Sequence, residues 1–492
     1  MSTPRWEWTP EEIRAAGHRV ADIVADHLAG LRDRPVFQPP PPDIVRGFQE
    51  EPAPAHPTSA DELFDDVAGR VAAYPFGNGH PRFAGWVNSP PAVIGAFADV
   101  LAAAINPSVA GGNHAAVHVE HQVLRWFRDL LGLPAEAAGL LVSGGSMASL
   151  TGLAVARHVA TREAGVDVRA QGLQRAGRPF VPYLGEEGHS CLGKAAELLG
   201  IGSGHVRTIP GDDRHRMRPG ALEERITRDL DEGAVPIAVA TTAGTVNTGA
   251  IDPLNDIADV CARHRVWLHV DAAYGGPAVL SPRTRPDLEP LARADSVALD
   301  PHKWLYVPLE AGLILVRDGG AMREAFSTVP PYLRTDGDVG GVGGPPWFSE
   351  FGFQQSRGFR ALKVWMCLRY FGLEGYRELI EHDLDMAAHL ARRVEEHADL
   401  ELAASGLSIV CFRYRPAGGH GELDGLNRAL LTDLQLSGRA FLTSTVLDGR
   451  FVLRACFVNP GTTTDDVDAL VRAVTEIGAR HLGGDSPPTP LS

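Results

Sequence analysis

The chain has 492 residues, which suggests more than one folding unit, since single hydrophobic cores stop growing at roughly 250–300 residues. With 44% hydrophobic and 22% charged residues it reads as a soluble globular protein, and a formal net charge of −15 without a basic tract argues against nucleic acid or an anionic membrane as partner. Cys191, Cys261, Cys367, Cys411 and Cys456 lie far apart with no Cys-x-x-Cys, a pattern that fits reduced cytoplasmic thiols better than disulfides or a zinc site.

The N-terminal run MSTPRWEWTPEEIR carries charge where a signal peptide needs its apolar core, so export is not expected. Thr9-Pro10-Glu11-Glu12 is a capping box with proline at the first helical position. Ile13, Val20, Ile23, Val24, Leu28 and Leu31 then recur at helical spacing, which predicts an amphipathic helix over residues 10–31. Prolines between Pro35 and Pro57 predict a stiff segment without regular structure, and Ser59 to Glu62 repeats the capping pattern before a second short helix. This apolar, extended arm (residues 1–75) is expected to pack against something else, such as a second subunit. Val93 to Ile105 is interrupted by Asp99 and is too short to span a bilayer. His114, His118, Glu120 and His121 would place imidazoles on one helical face, but no His-Glu-x-x-His pattern is present and no metal is expected.

From about residue 76 to 372 short apolar strands alternate with helical runs, the signature of a mostly parallel sheet covered by helices on both faces, an α/β architecture. Leu141 to Met147 (LVSGGSM) runs from a strand into a helix; glycines there let backbone N–H groups approach an anion, and Ser146 adds a hydroxyl, so the turn reads as a phosphate cradle. His189 follows a strand and is placed to stack on a flat ring, or else to cap a helix. Gly188 to Lys194 nearly matches a nucleotide P-loop, but Ala195 stands where a magnesium-binding hydroxyl is needed, which excludes that reading. Two strand-like segments deliver Asp271 and Lys303 to their carboxyl ends, where such sheets bind ligands. Apolar surroundings disfavour the ammonium form of a lysine, so Lys303 is expected to be a usable amine near neutral pH. An amine for covalent attachment and an anion for a pyridinium are the groups that pyridoxal 5'-phosphate requires. Pro330 to Arg334 contains Tyr332 and precedes a glycine-rich stretch that reads as a lid. Beyond Gly372 a helix at 375–397, strands near 408–414 and 450–458, and a helix at 464–481 predict a smaller α+β domain (373–482), with a disordered tail at 483–492.

Taken together, Ser143-Gly-Gly-Ser146, Gly188-His-Ser190, His269-Val-Asp-Ala-Ala-Tyr274 and Asp300-Pro-His-Lys-Trp304 resemble the group II pyridoxal-phosphate-dependent amino-acid decarboxylases, the family of aromatic-amino-acid, histidine and glutamate decarboxylases. The likeness runs from about residue 10 to 480. It implies fold type I and a cytoplasmic homodimer with active sites at the subunit interface. It also implies that Lys303 bonds to the cofactor, that Asp271 pairs with its ring nitrogen, and that Ala273 and His189 pack on its two faces. Gly145, Ser146, Asp300 and His302 match phosphate-side positions, Thr245 a supporting loop, and Arg454 an arginine near the substrate carboxylate. In relatives a tyrosine at the Tyr332 position, which His189 could assist, protonates the carbon that has lost carbon dioxide; a phenylalanine there goes with aldehyde formation. Trp86 and Val87 match a pocket wall and favour aromatic or apolar substrates over acidic ones. Met147, where an acidic residue is frequent, and Glu310-Ala311, where small residues or cysteine are common, depart from the pattern.

Overall fold

The computed structural model describes residues 6–328, 341, 343–418 and 421–483. Tyr332 and the tail from residue 484 lie outside the described residues. Both capping boxes form: the Thr9 hydroxyl accepts the Glu12 amide while Glu12 accepts the Thr9 amide, and Ser59 and Glu62 repeat the exchange. The first helix spans Pro10–Ala29 and buries none of its residues. The proline-rich segment differs from expectation, because it contains a helix, Pro42–Glu50. Proline stands at the first position of that helix, where its missing N–H breaks no hydrogen bond and its fixed φ suits the turn.

The larger sheet has seven strands: β1 (Ala138–Val142), β2 (Phe180–Gly185), β3 (Arg207–Ile209), β4 (Val235–Thr242), β5 (Trp267–Asp271), β6 (Ser296–Leu299) and β7 (Gly312–Val316). Their order is β1-β7-β6-β5-β4-β2-β3. The pairs β6–β5, β5–β4, β4–β2 and β2–β3 are parallel, and β7 runs antiparallel to both its neighbours. Helices cover the sheet, so its strands are apolar on both faces and nearly every residue of β5, β6 and β7 is buried. The mostly parallel sheet expected from the alternating pattern is therefore present.

A second, antiparallel sheet contains β8 (Leu400–Gly406), β9 (Ile409–Tyr414), β10 (Thr443–Leu447) and β11 (Arg450–Cys456), in the order β10-β11-β9-β8. It has its own core, in which Leu390, Phe412, Leu430, Leu453 and Val474 are buried. The helix expected from residue 375 is the second part of a helical run, Ala361–Glu396, in which two helices meet at a kink. Gly372 breaks its path with φ 64° and ψ 170°, a conformation open to glycine, and this break is what the change of pattern at that residue reports. Among the described residues no helix is long and apolar enough to cross a membrane.

Candidate active site

The carboxyl ends of β1, β2, β4, β5 and β6 converge on a cavity of about 540 Å³, and the loops that leave them supply Gly145, Ser146, His189, Asp271, Ala273, Asp300, His302 and Lys303 to its wall. A larger groove, about 920 Å³, opens at the amino ends of β4 and β5 and gathers none of these residues. Lys303 leaves the turn after β6 and places its Nζ 3.1 Å from Asp300 Oδ2; His302 Nε2 lies 3.7 Å from the same oxygen. The other ring nitrogen of His302 is 2.7 Å from the Ala311 carbonyl, which fixes the imidazole, and burial holds its pKa below the ordinary value.

The electrostatics of Lys303 correct the expectation of a weakly basic amine. Burial does push the lysine toward its neutral form, but Asp300 and Asp271 outweigh it and raise the pKa above the ordinary value. Asp271 closes β5; its Oδ1 accepts the Ala273 amide at 3.1 Å, and burial raises its pKa against the pull of Lys303. His189 takes the capping part of its expected roles and also lines the cavity. Its Nδ1 accepts the Cys191 amide at 3.2 Å and so caps the helix Ser190–Leu198, while its ring faces the cavity. That bond places the proton of the neutral ring on Nε2, and burial keeps the ring neutral by lowering its pKa.

Four expected residues stand away from the cavity wall. Thr245 is buried within its own loop, where its hydroxyl pairs with that of Thr248 at 2.9 Å and accepts the Ala250 amide at 3.1 Å. Its neighbours Thr242, Gly244 and Val246 reach the cavity instead. Trp86 is 45% exposed, has φ 44°, and stacks on Phe76 with ring centroids 5.2 Å apart. Val87 beside it is buried. Arg454, on β11, joins this wall to the cavity: its Nη1 donates to the Trp86 carbonyl at 3.0 Å and its Nε to the Val246 carbonyl at 2.8 Å. Arg454 Nη2 is buried with no hydrogen-bond partner.

Further residues line the cavity, among them Cys191 and Leu309, which the sequence did not single out. Cys191 sits in the first turn of the helix that His189 caps, and burial pushes its thiol up to about 11. Its place two residues after the histidine was the available signal. Leu309 and Glu310 also line the cavity, and Glu310 is held by Arg360 at 2.7 Å. Tyr274 extends the Asp271 run, and its ring stacks on Trp304. The histidine cluster is otherwise engaged: His118 pairs with Asn113 at 3.0 Å, His121 stacks on Phe348, and Glu120 meets Arg357.

Residues 41–415 match the pyridoxal-dependent decarboxylase conserved domain. The chain belongs to the pyridoxal-dependent decarboxylase family. It is 34% identical to an aromatic-L-amino-acid decarboxylase of Bacillus atrophaeus over 462 residues, 93% of each chain. It is 32% identical over 470 residues to tyrosine decarboxylase 4 of Petroselinum crispum, covering 93% of this chain and 91% of that one. The crystal structure of Oryza sativa TDC with PLP and tryptamine superposes with a TM-score of 0.88 at 28% identity, over 97% of this chain and 100% of that one.

The cavity suits the cofactor of this pyridoxal-dependent decarboxylase. A Cβ at Gly145 would lie 2.9 Å from Asp300 Oδ2 and 3.0 Å from the Ala273 methyl, so the opening of the helix Gly145–Glu163 comes this close only as glycine. The start of that helix, with the Ser146 hydroxyl beside it, has the chemistry to hold an anion. Asp300 Oδ1 is buried beside it without a hydrogen-bond partner. A carboxylate at Asp271 and an amine at Lys303 complete the donor set.

Proposed function

We propose that this enzyme decarboxylates an L-amino acid with an aromatic side chain, releasing the amine and carbon dioxide. The observation that carries the substrate class is the aromatic cluster tied to the cavity: Trp86 packs on Phe76 and Phe441, and Arg454 links the Trp86 backbone to Val246, which lines it. Relatives named for aromatic substrates support the same reading.

Bound pyridoxal phosphate supplies an electron sink for the pair left behind when the carboxylate departs. In this reading Gly145, Ser146 and His302 hold its phosphate end, and the loop built by Thr245 supports it. Asp271 would hold the ring nitrogen, and Ala273 and His189 would pack against the ring. Lys303 would supply the amine that bonds to the cofactor, and its position at the cavity wall would let it hold or move a proton there. Arg454 Nη2, buried and unpartnered, offers a charge-assisted donor to the substrate carboxylate. Tyr332 is assigned the return of a proton to the reacting carbon. His189 Nε2–H is available to assist, because Nδ1 is committed to the Cys191 amide.

The working unit in this reading is a cytoplasmic homodimer. Val93, Phe97, Leu101 and Ile105 fall at every fourth position of the helix Val93–Ile105 and are 47%, 43%, 49% and 63% exposed, an apolar stripe suited to a second copy. The exposed Trp6, Ile13 and Phe48 of the N-terminal arm suit the same role. Residues 76–372 form the cofactor unit in this scheme and 373–482 a smaller one.

A second reading has a specific support: a phenylacetaldehyde synthase of Arabidopsis thaliana is 28% identical over 480 residues. Incubating the purified enzyme with a panel of L-amino acids, and assaying amine, aldehyde, carbon dioxide and peroxide, separates the two. Amine and carbon dioxide in equal amounts from tyrosine, tryptophan or phenylalanine are the expected result. Aldehyde with peroxide as the main products, or turnover of glutamate alone, would overturn the proposal.

A further inference from the structure

Asp383 is fully buried on the long helix Ala361–Glu396 and does not line the cavity. Its Oδ2 accepts the Trp304 indole N–H at 2.8 Å and the Tyr306 hydroxyl at 2.6 Å. These are the first and third residues after Lys303. Between them, the Leu305 carbonyl accepts the Tyr376 hydroxyl of the same helix at 3.0 Å. No basic side chain pairs with Asp383 among the described residues. Burial pushes its pKa up to about 7, and the Tyr306 hydroxyl and Trp304 indole oppose that rise.

The turn these bonds hold is not a relaxed one. Tyr306 has φ 54°, in the left-handed region that an aromatic side chain rarely occupies, so surrounding contacts must maintain it. Trp304 is also gripped from its other side: the Tyr274 ring stacks on it, 5.0 Å away and 20° from parallel. The Tyr274 hydroxyl is fixed in turn, 2.6 Å from the Ser408 hydroxyl and accepting the Ser408 amide at 2.9 Å. Trp304 therefore sits between Asp383 and a tyrosine three residues beyond Asp271. Lys303 projects from the start of a turn clamped on both sides.

We infer that Asp383 is a positioning residue for Lys303, holding the turn Lys303–Tyr306 in the conformation that aims the lysine amine into the cavity. The inference rests on the reading of Lys303 as the cofactor-bonding residue. Asp383 acts at a distance through Trp304 and Tyr306 and touches neither cofactor nor substrate. A reaction geometry misplaced by about 1 Å loses on the order of 100-fold in rate, while ground-state binding of a substrate held by other groups changes little.

The test strips the enzyme of cofactor, adds pyridoxal phosphate back, and follows attachment by borohydride trapping and peptide mass spectrometry. Wild type must trap the cofactor on Lys303; trapping elsewhere would overturn the reading of Lys303 itself. Given that result, Asp383→Asn is expected to attach about 100-fold more slowly and Tyr306→Phe about 10-fold more slowly. Both are expected to lower kcat in the same proportion with the amino-acid KM within about twofold of wild type, a split that general loosening of the fold does not produce. The double variant is expected to be no slower than Asp383→Asn, because both changes break one strut. Attachment rates within about twofold of wild type in both variants would overturn the inference while leaving Lys303 in its role. If Asp383→Asn does not fold, Tyr306→Phe, which removes a single hydroxyl, decides alone.

Discussion

Glu120→Ala removes one half of a buried ion pair that braces the Ser143–Ser146 turn, the proposed phosphate cradle, from behind. The Arg357 and Glu120 side chains are 2% and 0% exposed. Arg357 also donates to the Val109 carbonyl at 2.8 Å and the Leu141 carbonyl at 2.7 Å, and Glu120 Oε1 accepts the Leu141 amide at 3.1 Å. The pair thus satisfies both backbone groups of Leu141, two residues before Ser143. Without Glu120 the guanidinium stays buried and uncompensated, a loss of about 3–5 kcal/mol. Unfolding entropy of about 2.1 cal/mol/K per residue gives roughly 1 kcal/mol/K for 492 residues, so the thermal midpoint should fall by about 3–5 °C. Calorimetry of the cofactor-loaded enzyme measures this, and the rate of cofactor release should rise in parallel because β1 leads into the cradle. Glu120→Leu combined with Arg357→Met should recover most of the loss, since a buried pair exchanged for apolar groups is often near neutral. A single variant melting within about 1 °C of wild type, or a double variant worse than Glu120→Ala, would refute the argument.

Other perturbations address the cavity itself. Gly145→Ala forces a methyl to 2.9 Å from Asp300 Oδ2. Overpacking of about 1–3 kcal/mol should weaken pyridoxal phosphate binding by roughly 5–150-fold in an equilibrium titration. Gly193→Ala, with nothing within 4 Å of the new atom, should bind as wild type does. Asp300→Asn deletes the nearer carboxylate that raises the Lys303 pKa. Lysine then sheds its proton at lower pH, so stopped-flow profiles of cofactor attachment against pH should move to lower pH; an unmoved profile would contradict the assigned cause. Arg454→Met removes the spare buried donor, a charge-assisted bond of about 1.5–3 kcal/mol, and should raise the amino-acid KM by roughly 10–150-fold. Affinity for the amine product, which lacks the carboxylate, should change less than threefold by calorimetry; equal losses for both ligands would count against the carboxylate assignment.

What was legible in the sequence and what was not divide along chain separation. Asp271 ends and the Asp300-to-Lys303 run follows a short, fully or nearly fully buried strand (WLHVD and SVAL), so local pattern alone brings them to one sheet edge. Gly145 and His189 are visible for the same reason, each opening a helix immediately after a strand loop. Thr245 was placed by likeness of position, and its hydroxyl turned out to be occupied by Thr248 and Ala250 of its own loop. Glu120 read as a member of a histidine cluster because its actual partner, Arg357, is 237 residues away. Asp383 carried no local signal at all, being 79 residues from the indole it accepts.

The charge on Lys303 shows why that limit reaches the chemistry. An apolar run before a lysine correctly predicts burial, and burial alone favours the neutral amine. Whether burial wins depends on how many carboxylates the fold turns toward the same atom. Asp300 lies three residues away and its ion pair with Lys303 is local, but Asp271 arrives from a neighbouring strand through the register that sets Asp271 opposite Ala298. With both present the attraction exceeds the desolvation, and the amine must be freed by whatever neutralises those carboxylates. In the proposed function, a cationic ring nitrogen beside Asp271 would do so for one of them. In the proposed roles, pairing of Asp271 with the cofactor would therefore also lower the proton affinity of Lys303, and a single carboxylate would serve both steps.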